Sequence, residues 1–129
     1  MLKKKHLKPL KNSVVNFAHR FADLAKPMAE EEKDKTRARE LQVIEKICRR
    51  VPENPATSFH EAVQSIWFVH LIQHIESNGH SVSLGRIDQY LYPYYQHDLE
   101  NGIITRDFAK EIRSTTPLDM VLVIQLIKT

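Results

Sequence analysis

The chain has 129 residues, of which 42% are hydrophobic and 27% charged, a composition that fits one soluble globular domain with a core of ordinary size. A lone cysteine, Cys48, excludes an internal disulfide and fits a reducing compartment, and the longest apolar run, Met120–Ile127 with Gln125 inside it, is far too short to cross a bilayer. The net charge of +3 hides an asymmetry: residues 1–50 hold 14 Lys and Arg against 7 Asp and Glu, whereas residues 51–113 hold 4 against 8.

The basic front half could mark contact with nucleic acid or membrane, but its charges alternate in sign through EEEKDKTRARE. Such alternation reads as a solvated helical face, so neither partner is expected. The opening MLKKKHLKPL is basic and lacks the apolar core of a signal peptide, which makes the cytoplasm the expected location.

Val14, Phe17, Phe21, Leu24 and Met28 recur at steps of three and four and predict one apolar helical face. After a charged break near Lys33–Thr36, a second face follows in Ala38, Leu41, Ile44, Ile47 and Cys48, and Pro52 and Pro55 end it. Two antiparallel helices are the expected arrangement. Ser58 and Glu61 then stand at capping-box spacing before a third helix. From Ala62 to Ile75 that helix is apolar around most of its circumference, so it must be buried on several sides. A chain of this length has little material to surround it, which points to a larger body.

Asn78-Gly79 supplies a left-handed position to end the third helix. Ile87, Tyr90, Leu91, Tyr94, Tyr95 and Leu99 restart a helical face, with Pro93 expected to force a kink or a fresh first turn. Asn101-Gly102 closes this fourth helix, and Thr105 can cap a fifth. The fold class is therefore mainly α.

Seven histidines raise the question of a metal. His70 and His74 have the i, i+4 spacing of a zinc pair, but Leu71 stands where an HExxH site needs glutamate, and no cysteine pair or flanking acidic ligand helps. No metal site is expected, and the two rings are read as a polar stripe bonded to neighbours. Cys48 lies beside Arg49 and Arg50, which could activate its thiol, yet its aliphatic face marks it as core. Tyr90, Tyr92, Tyr94 and Tyr95 could stack bases, although their spacing with Ile87 and Leu91 favours packing. His80 and Ser81, just past the third helix, could satisfy loose carbonyls at the helix end or project into a cavity.

The stretches FAHRFADLA, ICRRVPENPATSFHEAVQSIWFVHL, IESNGHSVSLGRIDQYLYPYYQHDLENGIIT and FAKEIR resemble the pyruvate formate-lyase-like glycyl radical enzymes, and most of all their glycerol and diol dehydratase branch. The resemblance runs from about Phe17 to Arg113. It implies that residues 1–113 are a partial pyruvate formate-lyase-like domain, a fragment of an α/β barrel, with residues 114–129 as a divergent tail.

The family's chemistry implies a glycine-centred radical that generates a thiyl radical on a cysteine, installed by an activating enzyme with S-adenosylmethionine and an iron–sulfur cluster. Neither radical motif is present: the three glycines are Gly79, Gly85 and Gly102, none in an RVAGY-like context, and Cys48 falls in the CRxVP helix. No cofactor is expected in this chain, and no activity from it alone. In the dehydratase branch the histidine and serine of the NGHS turn bond substrate hydroxyls, which implies that role for His80 and Ser81, with a small-molecule substrate and the activating enzyme as partners of the intact parent. Self-association of the isolated chain is expected. The rival reading is a free-standing helical interaction module whose basic N-terminal half binds acidic partners.

Overall fold

A computed structural model describes residues 4–78 and 86–114. The described residues form five helices and their connections, with no strand among them, in line with the mainly α expectation. The chain divides into two compact units, Met1–Pro55 and Ala56–Thr129.

The first unit is a helical hairpin of α1 (Lys4–Glu31) and α2 (Lys35–Arg50). Asp34 sets the start of α2: its carboxylate accepts from the Thr36 N–H at 2.9 Å while its own N–H donates to Glu32 Oε1 at 3.1 Å. At the far end the Val51 N–H closes the helix on the Ile47 carbonyl at 2.9 Å. Arg49 reaches back to Asp23 of α1, and His19 of α1 lies 3.3 Å from both the Arg49 carbonyl and Glu53. These contacts are exposed, so solvent screens them and they add little to stability.

The buried face of α1 differs from the expected one. Ala18 and Ala22 are 0% exposed, and Val14, Val15, Ala25 and Ala29 are buried with them, whereas Leu24 is 52% exposed and Phe17, Phe21 and Met28 are half-buried. The distance between packed helices is set by the side chains at the contact, so a stripe of alanines permits close approach. The larger residues flank it, Phe17 and Phe21 meeting edge to face at 5.2 Å between ring centres. Of the expected face on α2, Leu41, Ile47 and Cys48 are buried, and Ala38 and Ile44 are half-buried.

The second unit holds α3 (Phe59–Glu76), α4 (Ile87–Glu100) and α5 (Arg106–Ser114). Phe59, Ala62, Val63, Leu91, Ile104 and Ala109 form its core, flanked by Ile66, Tyr94, Tyr95 and Ile112. Ser58 caps α3 as expected, its hydroxyl accepting from the Glu61 N–H at 3.2 Å. The Glu61 carboxylate also gathers in Thr57, accepting from its N–H at 2.8 Å and its hydroxyl at 3.0 Å.

A carboxylate that the sequence did not single out completes this helix start. Asp98 on α4 is 0% exposed. Its Oδ2 accepts from the Phe59 N–H at 2.7 Å, its Oδ1 lies 3.0 Å from His97 Nδ1, and its main-chain oxygen accepts from the N–H groups of Ile103 at 2.8 Å and Ile104 at 3.3 Å. The first turn of a helix leaves four N–H groups without internal partners. Ser58 takes one of these from within the segment, and Asp98 takes another from across the fold. A negative charge also suits the positive end of the helix dipole.

Pro93 lies inside α4 and does not end it, so the expected fresh start is not seen. The expected closures after it are present. Asn101 caps α4, Gly102 takes φ +67°, and the Thr105 hydroxyl accepts from the Phe108 N–H at 3.2 Å to begin α5. The left-handed value at residue 102 suits glycine, which has no Cβ to clash. Burial of α3 is uneven: Phe59, Ala62, Val63, Trp67, Phe68 and His70 are buried, while Val69 is exposed and Ile75 is 62% exposed. The all-round burial expected of α3 is thus not reached at its C-terminal end. Tyr94 and Tyr95 pack against the core, and Tyr90 and Tyr92 are exposed.

Candidate functional site

The C-terminal half of α3 is where apolar packing gives way to polar chemistry. Residues 67, 70, 74 and 77 follow at steps of three, four and three and therefore share one face. Trp67 opens this stripe, buried and edge to face with Phe68 at 5.0 Å between ring centres. His70 and His74 follow, their Nε2 atoms 2.8 Å apart and their rings nearly perpendicular at 77°. One ring must donate an Nε2 proton and the other accept it, since neutral imidazole carries a single N–H.

His70 is 4% exposed, and its pKa is lowered, first by burial and then by the charge that His74 can carry beside it. Its Nδ1 is buried without a hydrogen-bond partner, and so is the hydroxyl of Ser77 one turn beyond His74. Such groups cost about 1–3 kcal/mol each when left unsatisfied.

The helix ends at Ser77, whose N–H donates to the Gln73 carbonyl at 2.9 Å. Asn78 follows with φ +55°, the left-handed conformation expected of the Asn78-Gly79 pair. Asparagine enters that region more readily than most residues. His80 and Ser81 come next in the chain and lie outside the described residues. What the structure describes of this site is therefore the polar face and the left-handed residue from which they follow.

The remaining candidates reduce to packing. Cys48 is buried, and burial raises its thiol pKa to about 12, so Arg49 and Arg50 do not activate it. His60 is half-buried, its pKa lowered chiefly by burial, and meets the edge of Phe108 at 5.9 Å between ring centres. Among the described residues no three His, Cys, Asp or Glu side chains converge as metal ligands. No helix among them is long and apolar enough to cross a membrane.

Comparison with known proteins gives this helix end its context. The family model "Pyruvate formate lyase-like" matches residues 4–127. The isethionate sulfite-lyase of Nitratidesulfovibrio vulgaris is 48% identical over 102 residues, covering 78% of this chain and 12% of that protein. A solved structure concerned with 1,2-propanediol dehydration in Roseburia inulinivorans superposes with a TM-score of 0.76 at 50% identity, again over 78% of this chain and 12% of its own. The glycerol-bound form of the B12-independent glycerol dehydratase from Clostridium butyricum superposes with a TM-score of 0.71 at 46% identity, over 77% and 12%. The chain thus spans about 12% of the length of these relatives, and the radical-bearing region of a whole family member is not among its residues. It belongs to the pyruvate formate lyase-like family of glycyl radical enzymes, close to the glycerol and diol dehydratase branch.

Proposed function

We propose that this chain is a helical part of the α/β barrel of a glycyl radical dehydratase or lyase, and that α3 presents the NGHS turn to a small hydroxylated substrate. In this reading His80 and Ser81 hydrogen-bond the substrate hydroxyls. The observation that carries it is the left-handed Asn78 at the end of a half-polar, half-buried helix, in a segment like those of proteins that dehydrate propanediol and glycerol.

The chemistry follows from the residue types. A protonated imidazole at residue 80 can give its proton to a departing hydroxyl, so that it leaves as water, a form of help worth about 10²–10⁴-fold. A serine hydroxyl at residue 81 can both donate to and accept from a second hydroxyl and so fix the orientation of a diol. In a whole family member the glycyl radical, installed by an activating enzyme with S-adenosylmethionine and an iron–sulfur cluster, would generate the thiyl radical that abstracts hydrogen from the substrate. This chain contributes orientation and a proton, and by itself turns nothing over.

The test is made in a full-length family member bearing residues 59–86 of this chain, with activity normalised to the glycyl radical signal. His80→Ala is expected to lower kcat/KM at least about a hundredfold, with radical yield and melting temperature unchanged. Unchanged normalised activity together with a lowered melting temperature would instead make the residue a helix cap and remove the assignment.

A further inference from the structure

We infer that His70 and His74 form a chelating site for one divalent copper or nickel ion. The inference concerns this chain as it stands and is independent of the reading of His80 and Ser81.

Of the seven histidines, only residues 70 and 74 stand three or four places apart, so only they are neighbours along one helix face. The missing HExxH glutamate and the missing acidic ligand argue against a zinc hydrolase site, and the geometry suits a different ion. The two Nε2 atoms are 2.8 Å apart. At the usual metal–imidazole distance of about 2.0–2.1 Å, an ion touching both would see them about 85° apart. That is close to the right angle between neighbouring ligands of a square-planar or octahedral ion, and well short of the tetrahedral angle of zinc. Tetragonal sets of nitrogen and oxygen ligands are those of Cu²⁺ and Ni²⁺.

The pair is assembled before any ion arrives. His70 is 4% exposed, so packing fixes its ring, and a ligand already held in place loses little freedom on binding. His74 is half-buried, which opens the pair to solvent on that side. Each neutral imidazole has one lone pair to give. In the hydrogen bond one Nε2 carries the bridging proton. When the donor ring moves that proton to its own Nδ1, both rings stay neutral and both Nε2 lone pairs are free for the ion.

Among the described residues no third His, Cys, Asp or Glu joins the pair, so the remaining positions on the ion fall to water. The Ser77 hydroxyl, one turn beyond His74 on the same face and buried without a hydrogen-bond partner, can bond such a water. Outer partners of this kind orient what the ion holds.

The experiment titrates the purified full chain with Ni²⁺ and follows the heat. The parent is expected to bind one ion at least about a hundredfold more tightly than His74→Gln, because a second ligand on the same scaffold makes its bond intramolecular. His97→Gln, outside the pair, is expected to match the parent. Equal affinity in the parent and His74→Gln overturns the inference, and so does a His97→Gln variant as weak as His74→Gln. A second measurement needs no variant to fold: the electron spin of Cu²⁺ on the parent should couple to two imidazole nitrogens. Coupling to one nitrogen, or to none, also overturns it.

Discussion

Replacing Asp98 by alanine removes the acceptor for the Phe59 N–H, a bond of 2.7 Å made by a carboxylate that is 0% exposed. A hydrogen bond to a charged group contributes about 1.5–3 kcal/mol, and the stranded amide costs about 1–3 kcal/mol if it stays dry. These are two descriptions of one loss, so we expect about 2 kcal/mol rather than their sum. The contact with His97, whose side chain is 62% exposed, adds little. Asp98→Asn keeps an oxygen at the same place and should lose less than half as much. The direct assay is amide hydrogen exchange at Phe59, which also works if the chain melts broadly. About 2 kcal/mol corresponds to exchange roughly thirtyfold faster in the alanine variant. Equal protection of Phe59 in the parent and in Asp98→Ala would refute the cap, and so would an asparagine variant as unprotected as alanine.

Two further outcomes follow from burial and its lack. Cys48, its thiol pKa raised from 9.0 to about 12 by burial, should react with a thiol reagent only as fast as the chain opens, since thiolate is the attacking form. By linkage the raised value supports the fold fully below pH 9.0, and that support is lost as pH rises from 9.0 to about 12. Labelling of the native chain as fast as free cysteine, with stability flat across that range, would contradict both statements. The second concerns association: Leu24, Ile75, Tyr92 and Phe108 are exposed, and burying such a side chain is worth about 1.5–3 kcal/mol. Sedimentation should show oligomers, or a dye should report exposed apolar surface; a sharp monomer without dye binding would count against it.

Local signals in the sequence were the dependable ones. The Ser58 cap, the Asn78 and Gly102 left-handed positions and the Thr105 start each depend on residues within a few places of one another, and each is where the sequence reading expected it. The buried stripe of α1 differs from the expected one because hydrophobicity ranks phenylalanine and leucine above alanine, whereas close helix packing selects small side chains. Asp98 does leave a trace in the sequence: it stands seven places after Leu91, on the face shared with Tyr94 and Tyr95, where an acid needs a reason. Its partner is 39 residues away, and no local pattern names a partner at that distance. At the candidate site the NGHS turn was conspicuous, while the His70–His74 bond and the buried Ser77 hydroxyl depend on side-chain directions that spacing does not supply.

The 39-residue separation between Phe59 and Asp98 also says something about how this unit assembles. Closing a loop of that size costs entropy before any contact repays it. Until α4 has returned, the Phe59 amide can bond only to water, whereas the Ser58–Glu61 cap is available at once. Helix α3 should therefore form early from Glu61 onward and gain its first residue late, as α4 docks. In a ribosome-bound chain, completion of that turn would report that residue 98 has been made and has folded back.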